Sequence, residues 1–66
     1  MQNKFKNAVS WALDQAEEID GEVVKVKCDL TLLVDYVRQY FNDNNIEYSR
    51  FDFNDVKPYI PKDLLN

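Results

Sequence analysis

The sequence contains no histidine, and this absence excludes several kinds of chemistry. Histidine is the commonest general base near neutral pH and the commonest protein ligand of zinc. With one cysteine among 66 residues, a zinc site has too few nitrogen and sulfur ligands, and a nucleophile lacks its usual activating partner. We therefore expect no catalytic residues, no metal site and no cofactor, and predict that the protein is not an enzyme.

Glycine and cysteine are also scarce. The single glycine cannot form a glycine-rich loop for phosphate. Cys28 is the only cysteine, so no disulfide forms within the chain, and a lone cysteine is typical of a reducing compartment. The sequence does not open with a charged segment followed by an apolar one, and no apolar run is long enough to span a bilayer. These features predict a cytoplasmic protein without membrane contact.

Positive charge is in the minority. Eight Lys and Arg residues stand against twelve Asp and Glu residues, a net charge of −4, which disfavours direct binding to nucleic acid. Hydrophobic residues make up 45% and aromatic residues 14% of the chain, as in folded rather than disordered segments. We predict a single small domain over residues 1–66, whose limited core favours association with a partner or a second copy.

The most strongly periodic segment is residues 29–41, DLTLLVDYVRQYF. At about 100° per residue, its apolar side chains fall on one stripe of a helix. That stripe contains Leu30, Leu33, Val34, Val37 and Phe41. Asp29 is a typical N-cap, and residues 42–45, which include three asparagines, end the helix because asparagine tolerates positive φ.

Three more residues lie beside this stripe: Leu32, Tyr36 and Tyr40. They widen the apolar arc beyond what one neighbouring element usually covers. We predict that this flank is exposed or forms the contact of a homodimer.

The remaining elements are predicted from periodicity and turn signals. Residues 4–18 read as a helix capped by Asn3 and ended by the Asp20-Gly21 turn. Residues 22–28 alternate as a strand, with Cys28 on the buried face. Residues 46–53 read as a second strand, antiparallel to the first, with a helix as the alternative; Asn54 then caps a short helical turn.

The predicted fold is therefore a small α+β domain of order α-β-α-β plus short C-terminal turns. Two helices pack on a narrow antiparallel sheet, and an all-α fold is the alternative. The predicted core contains Phe5, Val9, Leu13, Val24, Val26, Leu33, Val34, Val37 and Phe41.

Negative charge is concentrated in residues 14–22. This segment contains no basic residue and five acidic ones: Asp14, Glu17, Glu18, Asp20 and Glu22. Three of them, Asp14, Glu17 and Glu18, lie near the C-terminal end of the predicted helix, where the helix dipole disfavours them by roughly 0.3–1 kcal/mol each. One interpretation is an acidic patch for a basic partner. The other is a solvated face whose small cost is outweighed by tertiary packing.

Trp11 is the most distinctive single residue of the first helix. It lies about 240° around the helix from Phe5, far from the predicted core stripe. The polar residues on or near the same side are Asn7, Asp14, Glu17 and Glu18. An aromatic side chain within a polar rim is a common form of binding hot spot. Alternatively, Trp11 covers the edge of the core beneath the C-terminal turns around Tyr59 and Leu64.

These features together predict a non-enzymatic protein-interaction module, either a regulator, an inhibitor or an adaptor. In this interpretation a basic protein partner binds the first helix. The alternative is a structural homodimer or assembly subunit that uses the central helix. A nucleic-acid-binding regulator fits the negative net charge less well.

Overall fold

A computed structural model describes residues 3–65 of the chain, in which three α-helices accompany one two-stranded antiparallel sheet. The helices and strands, in chain order, are α1 (Lys4–Leu13), β1 (Ala16–Ile19), β2 (Glu22–Lys25), α2 (Leu33–Asp43) and α3 (Phe53–Val56). Single 3-10 turns lie at Val26–Cys28, Leu30–Leu32, Lys57–Tyr59 and Lys62–Leu64. The predicted α+β class is confirmed, but the order of elements is α-β-β-α-α.

Helix α1 begins as predicted and ends five residues early. The Asn3 side chain accepts a hydrogen bond from the backbone N–H of Phe5 at 3.0 Å, which satisfies a free amide of the first turn. The helix ends at Leu13, with Asp14 as its C-cap. Glu17 and Glu18 therefore lie in β1. They are not at the C-terminal end of a helix, where the helix dipole would disfavour their negative charge.

The strands form a hairpin around Asp20 and Gly21. Both residues have positive φ, 52° and 84°, as a two-residue turn requires when it matches the twist of the strands. In the register, Glu17 pairs with Val24 and Glu18 pairs with Val23. Every residue from 16 to 25 except Val24 is exposed. The helices α1 and α2 therefore pack mainly on each other. The two-stranded sheet is an exposed hairpin, whereas the sequence predicted a sheet covered by both helices.

The strand predicted for residues 46–53 is wrong. Residues 46–52 have no regular secondary structure, and α3 begins at Phe53. Asn45 takes a positive φ of 55° and turns the chain back across α2. The rings of Tyr48 and Phe51 then lie 5.1 Å and 5.7 Å from the ring of Phe41. Aromatic packing thus positions this segment without strand pairing.

The helix predicted over residues 29–41 is present in two parts, the 3-10 turn Leu30–Leu32 and then α2, which continues two residues further to Asp43. Asp29 accepts a hydrogen bond from the N–H of Thr31 at 3.2 Å and begins the 3-10 turn that leads into the helix. Asn44 is the C-cap. The predicted cap of the last helix is wrong by two residues, because Asp52 rather than Asn54 caps α3 and forms a reciprocal capping box with Asp55.

The core lies between α1, α2 and the C-terminal segment. Its buried side chains are Ala8, Val9, Ala12, Val26, Leu33, Val37, Phe41, Phe51, Val56 and Ile60. Five of the nine predicted core residues are in this group. The other four, Phe5, Leu13, Val24 and Val34, are half-buried.

Cys28 is exposed, contrary to the prediction. Strand β2 ends at Lys25, and Val26–Cys28 then form a 3-10 turn. Because this turn interrupts the two-residue alternation, Val26 is buried and Cys28 is not. None of the helices within residues 3–65 is long and apolar enough to span a bilayer.

Candidate functional site

Trp11 lies at the edge of the interface between α1 and α2. Its ring centroid is 5.5 Å from that of Tyr40 and 6.4 Å from that of Tyr36, with tilted ring planes. The indole is half-buried. It therefore covers the edge of the core, but its aromatic neighbours are on α2 rather than in the predicted C-terminal turns around Tyr59 and Leu64.

The position of Trp11 follows from the small residues of α1. Ala8 and Ala12 are completely buried, and they let α2 approach the helix closely. Ala8 is about 60° from Trp11 around the helix. The buried face of α1 is therefore rotated toward Trp11 relative to the predicted core stripe. The indole lies at the border of this buried face and not on the opposite side of the helix.

The structure joins two surfaces that the sequence predicts separately. Tyr36 and Tyr40 come from the predicted dimer flank of α2, and both contact Trp11 from α1. We call these three residues the aromatic face. Leu32, the third residue of that flank, is half-buried and packs against the edge of the core. The role of this flank in a homodimer stays a prediction.

The hairpin places a carboxylate at the border of the aromatic face. The Tyr36 hydroxyl lies 3.4 Å from Glu17 Oε1 and 3.4 Å from the carbonyl oxygen of Ala16, and these two acceptors share its single proton. Desolvation at the half-buried Tyr36 and the nearby negative charge of Glu17 raise the pKa of Tyr36 above its ordinary value. The neutral phenol is thus held beside an exposed carboxylate.

The other predicted site residues are divided between different surfaces. Asn7 is exposed one helical turn before Trp11. Asp14 is exposed, and it also lines a separate cleft with Lys6, Ser10 and Lys27. Glu18 follows Glu17 in β1, where successive side chains point to opposite faces. Glu17 is therefore the acid that contacts the aromatic face, and a role of Glu18 in partner binding stays a prediction.

Two further clefts have polar linings. One, of about 480 Å³, contains Arg38, Arg50 and the two capping carboxylates of α3. Arg38 is paired there with Asp35 at 3.0 Å. The other, of about 600 Å³, lies between Lys4 and residues 46–49. Within residues 3–65, no group of three or more Cys, Asp or Glu side chains could hold a metal ion.

Comparisons of the chain with protein-family models, curated proteins and solved structures give no match. The geometry of the chain's own residues is therefore the basis of the function proposed below.

Proposed function

We propose that the protein is a non-enzymatic interaction module, acting as a regulator, inhibitor or adaptor, that binds a basic protein partner on the aromatic face. The observation that carries this proposal is the half-buried Trp11 between Tyr36 and Tyr40, with Glu17 at the Tyr36 hydroxyl. Tyrosine and tryptophan combine a large apolar surface with a polar group, and both are enriched at the energetic centres of protein interfaces.

The charge beside the aromatic face suggests the chemistry of the partner. The hairpin and the residues just before it contain five acids and no base over residues 14–22. Such a segment attracts cationic partners and repels acidic ones. An arginine side chain fits the site well, because its guanidinium can stack on an aromatic ring and also pair with the Glu17 carboxylate.

The composition of the core supports a binding role rather than catalysis. Catalytic groups are usually polar or titratable side chains withdrawn at least partly from water, with pKa values adjusted by their surroundings. Among residues 3–65 the buried side chains are all apolar. A cytoplasmic location is part of the same proposal, since the exposed free thiol of Cys28 suits a reducing compartment.

The fluorescence of Trp11 provides a direct assay, because it is the only tryptophan in the chain. We expect an Arg-rich peptide to change this fluorescence in a saturable manner. A Glu-rich peptide of equal length should have no effect. The apparent Kd of the Arg-rich peptide should rise with salt concentration, since ionic screening weakens attraction between exposed charges.

Two charge reversals in β1 form a matched pair. Glu17→Lys and Glu18→Lys change the net charge equally, but Glu17 alone contacts the aromatic face. We expect Glu17→Lys to raise the Kd at least tenfold and Glu18→Lys to raise it only slightly. Equal weakening by both variants would indicate diffuse attraction by net charge, and would contradict a defined site on the aromatic face.

A further inference from the structure

The outer edge of β2 carries main-chain groups available for pairing. The N–H of Val26 donates to the carbonyl of Gln15 at 2.9 Å, which continues the hairpin ladder by one hydrogen-bonded pair. Such pairs alternate in an antiparallel ladder, so the N–H and C=O of Val23 point away from β1. No partner for these groups is found in residues 3–65. The Val23 side chain is also 71% exposed.

We propose that two copies of this chain pair through the outer edges of their β2 strands. The strands run antiparallel around a two-fold axis at Val23, and the two hairpins form one four-stranded sheet. A two-fold axis perpendicular to the sheet keeps every residue on its own face, so Val23 can stand opposite Val23 of the second copy. The two valines then exchange two main-chain hydrogen bonds, and their side chains contact each other.

The charges along β2 suit this register. Glu22 stands opposite Val24 of the second copy, and Lys25 stands opposite Gly21, beside the acidic Asp20 of that copy's turn. No like charges stand directly opposite each other, an arrangement that would destabilise the pair. The other edge of the hairpin is unsuitable, because the same symmetry on β1 would oppose Glu18 to Glu18.

The acidic residues of β1 do not prevent this association. In the four-stranded sheet the two β1 strands are outermost, separated by three strand spacings, or about 14 Å. This separation exceeds the Debye length of about 8 Å at physiological ionic strength. Repulsion between the Glu17 and Glu18 carboxylates of the two copies is therefore largely screened.

The length of the exposed edge also fits. The proposed register overlaps residues 21–25 of each chain. The free edge ends there, because the carbonyl of Lys25 already accepts a hydrogen bond from the N–H of Asp29 at 3.2 Å and Val26, where the chain leaves the strand, is completely buried. Each turn thus ends beside the last exposed strand residue of the other copy, and the helices lie at opposite ends of the sheet. An isolated two-stranded hairpin is marginally stable in water, whereas four strands are more stable. This inference is independent of the proposed function.

Sedimentation equilibrium of the intact chain over a wide concentration range tests the proposal. We expect the average mass to rise with concentration from 7.8 kDa toward twice that value. Val23→Pro removes an outward N–H without removing a hairpin hydrogen bond, and should keep the mass at 7.8 kDa throughout. Glu18→Pro makes the same change on the β1 edge and should associate like the parent chain.

Amide hydrogen exchange of the unmodified chain gives a second measurement. The Val23 amide should exchange more slowly as the concentration rises, and the Glu18 amide should not. A parent chain that stays at 7.8 kDa at millimolar concentration would overturn the proposal. So would a Val23→Pro variant that associates like the parent, or Val23 exchange that is independent of concentration.

Discussion

At the scale of single residues, two valines illustrate how burial determines stability. Val37 is completely buried between the helices, whereas Val23 is 71% exposed on the hairpin. We expect Val37→Ala to lower the free energy of unfolding by roughly 1–3 kcal/mol, through lost burial and the cavity left behind. Val23→Ala should change it by less than about 0.5 kcal/mol. Urea denaturation at low protein concentration measures both, and equal midpoints would contradict this assignment of the core.

The Tyr36 hydroxyl provides a prediction about pH. Partial burial first, and then the charge and hydrogen bond of Glu17, raise the pKa of Tyr36 above its ordinary value of 10.0. The folded chain therefore holds the phenolic proton more tightly than the unfolded chain. The resulting stabilisation is present in full below pH 10.0 and is lost as the pH rises through the higher folded pKa.

Variants of the neighbouring acids test the cause of this shift. Glu17→Gln removes the negative charge, so the pKa of Tyr36 should fall toward its ordinary value. Glu18→Gln, on the opposite face of β1, should have little effect. The ¹³Cζ chemical shift of Tyr36, followed against pH, reports the titration directly. A pKa unchanged by Glu17→Gln would contradict the observed contact.

At the scale of elements, some helix boundaries follow from local signals and others do not. Asn3 caps α1 as predicted, and Asp29 caps the 3-10 turn that leads into α2, because short polar side chains bond nearby amides in any tertiary context. The predicted end of α1 at residue 18 is wrong, because residues 16–19 pair with residues 22–25 as a strand. The sequence contained a signal against the longer helix, since the three acids at its predicted end, Asp14, Glu17 and Glu18, oppose the helix dipole.

The path of residues 46–52 could not be predicted from local sequence. Their apolar residues change phase at Ser49 and Arg50, which resembles a strand with a bulge. In the structure Tyr48 and Phe51 pack on Phe41, and Phe51 also lies 5.3 Å from Phe5 on α1. These contacts depend on how α1 and α2 pack, which periodicity does not specify.

The cap of α3 gives a prediction that distinguishes the structure from the sequence-based expectation. The Asp52 side chain accepts a hydrogen bond from the N–H of Asn54 at 2.9 Å, and the Asp52 N–H donates to the Asp55 carboxylate at 2.9 Å. We expect Asp52→Ala to destabilise the chain by about 1 kcal/mol. Asn54→Ala should be nearly neutral, because Asn54 is exposed and alanine has the higher helix propensity. Thermal unfolding of both variants tests this, and the reverse order would restore Asn54 as the cap.

At the scale of the whole molecule, the candidate site depends on contacts between elements. Trp11 and the flank containing Tyr36 and Tyr40 are recognisable from helical periodicity alone. The contact of Trp11 with these two tyrosines requires the small alanines of α1, which let α2 pack close to α1. The hydrogen bond between Tyr36 and Glu17 requires the hairpin, which a helix predicted to continue to residue 18 excludes. The types of residue in the site were therefore predictable, but their grouping was not.

The most direct test of the binding surface is affinity capture from an extract of the native cell. Three immobilised chains are compared: the parent, Glu17→Lys and Glu18→Lys. Mass spectrometry should find basic proteins retained by the parent and by Glu18→Lys at low salt, and lost from Glu17→Lys, because the Glu17 carboxylate contacts the Tyr36 hydroxyl of the aromatic face. Retention of the same proteins by all three chains, or retention of none that is basic, would contradict the proposed function.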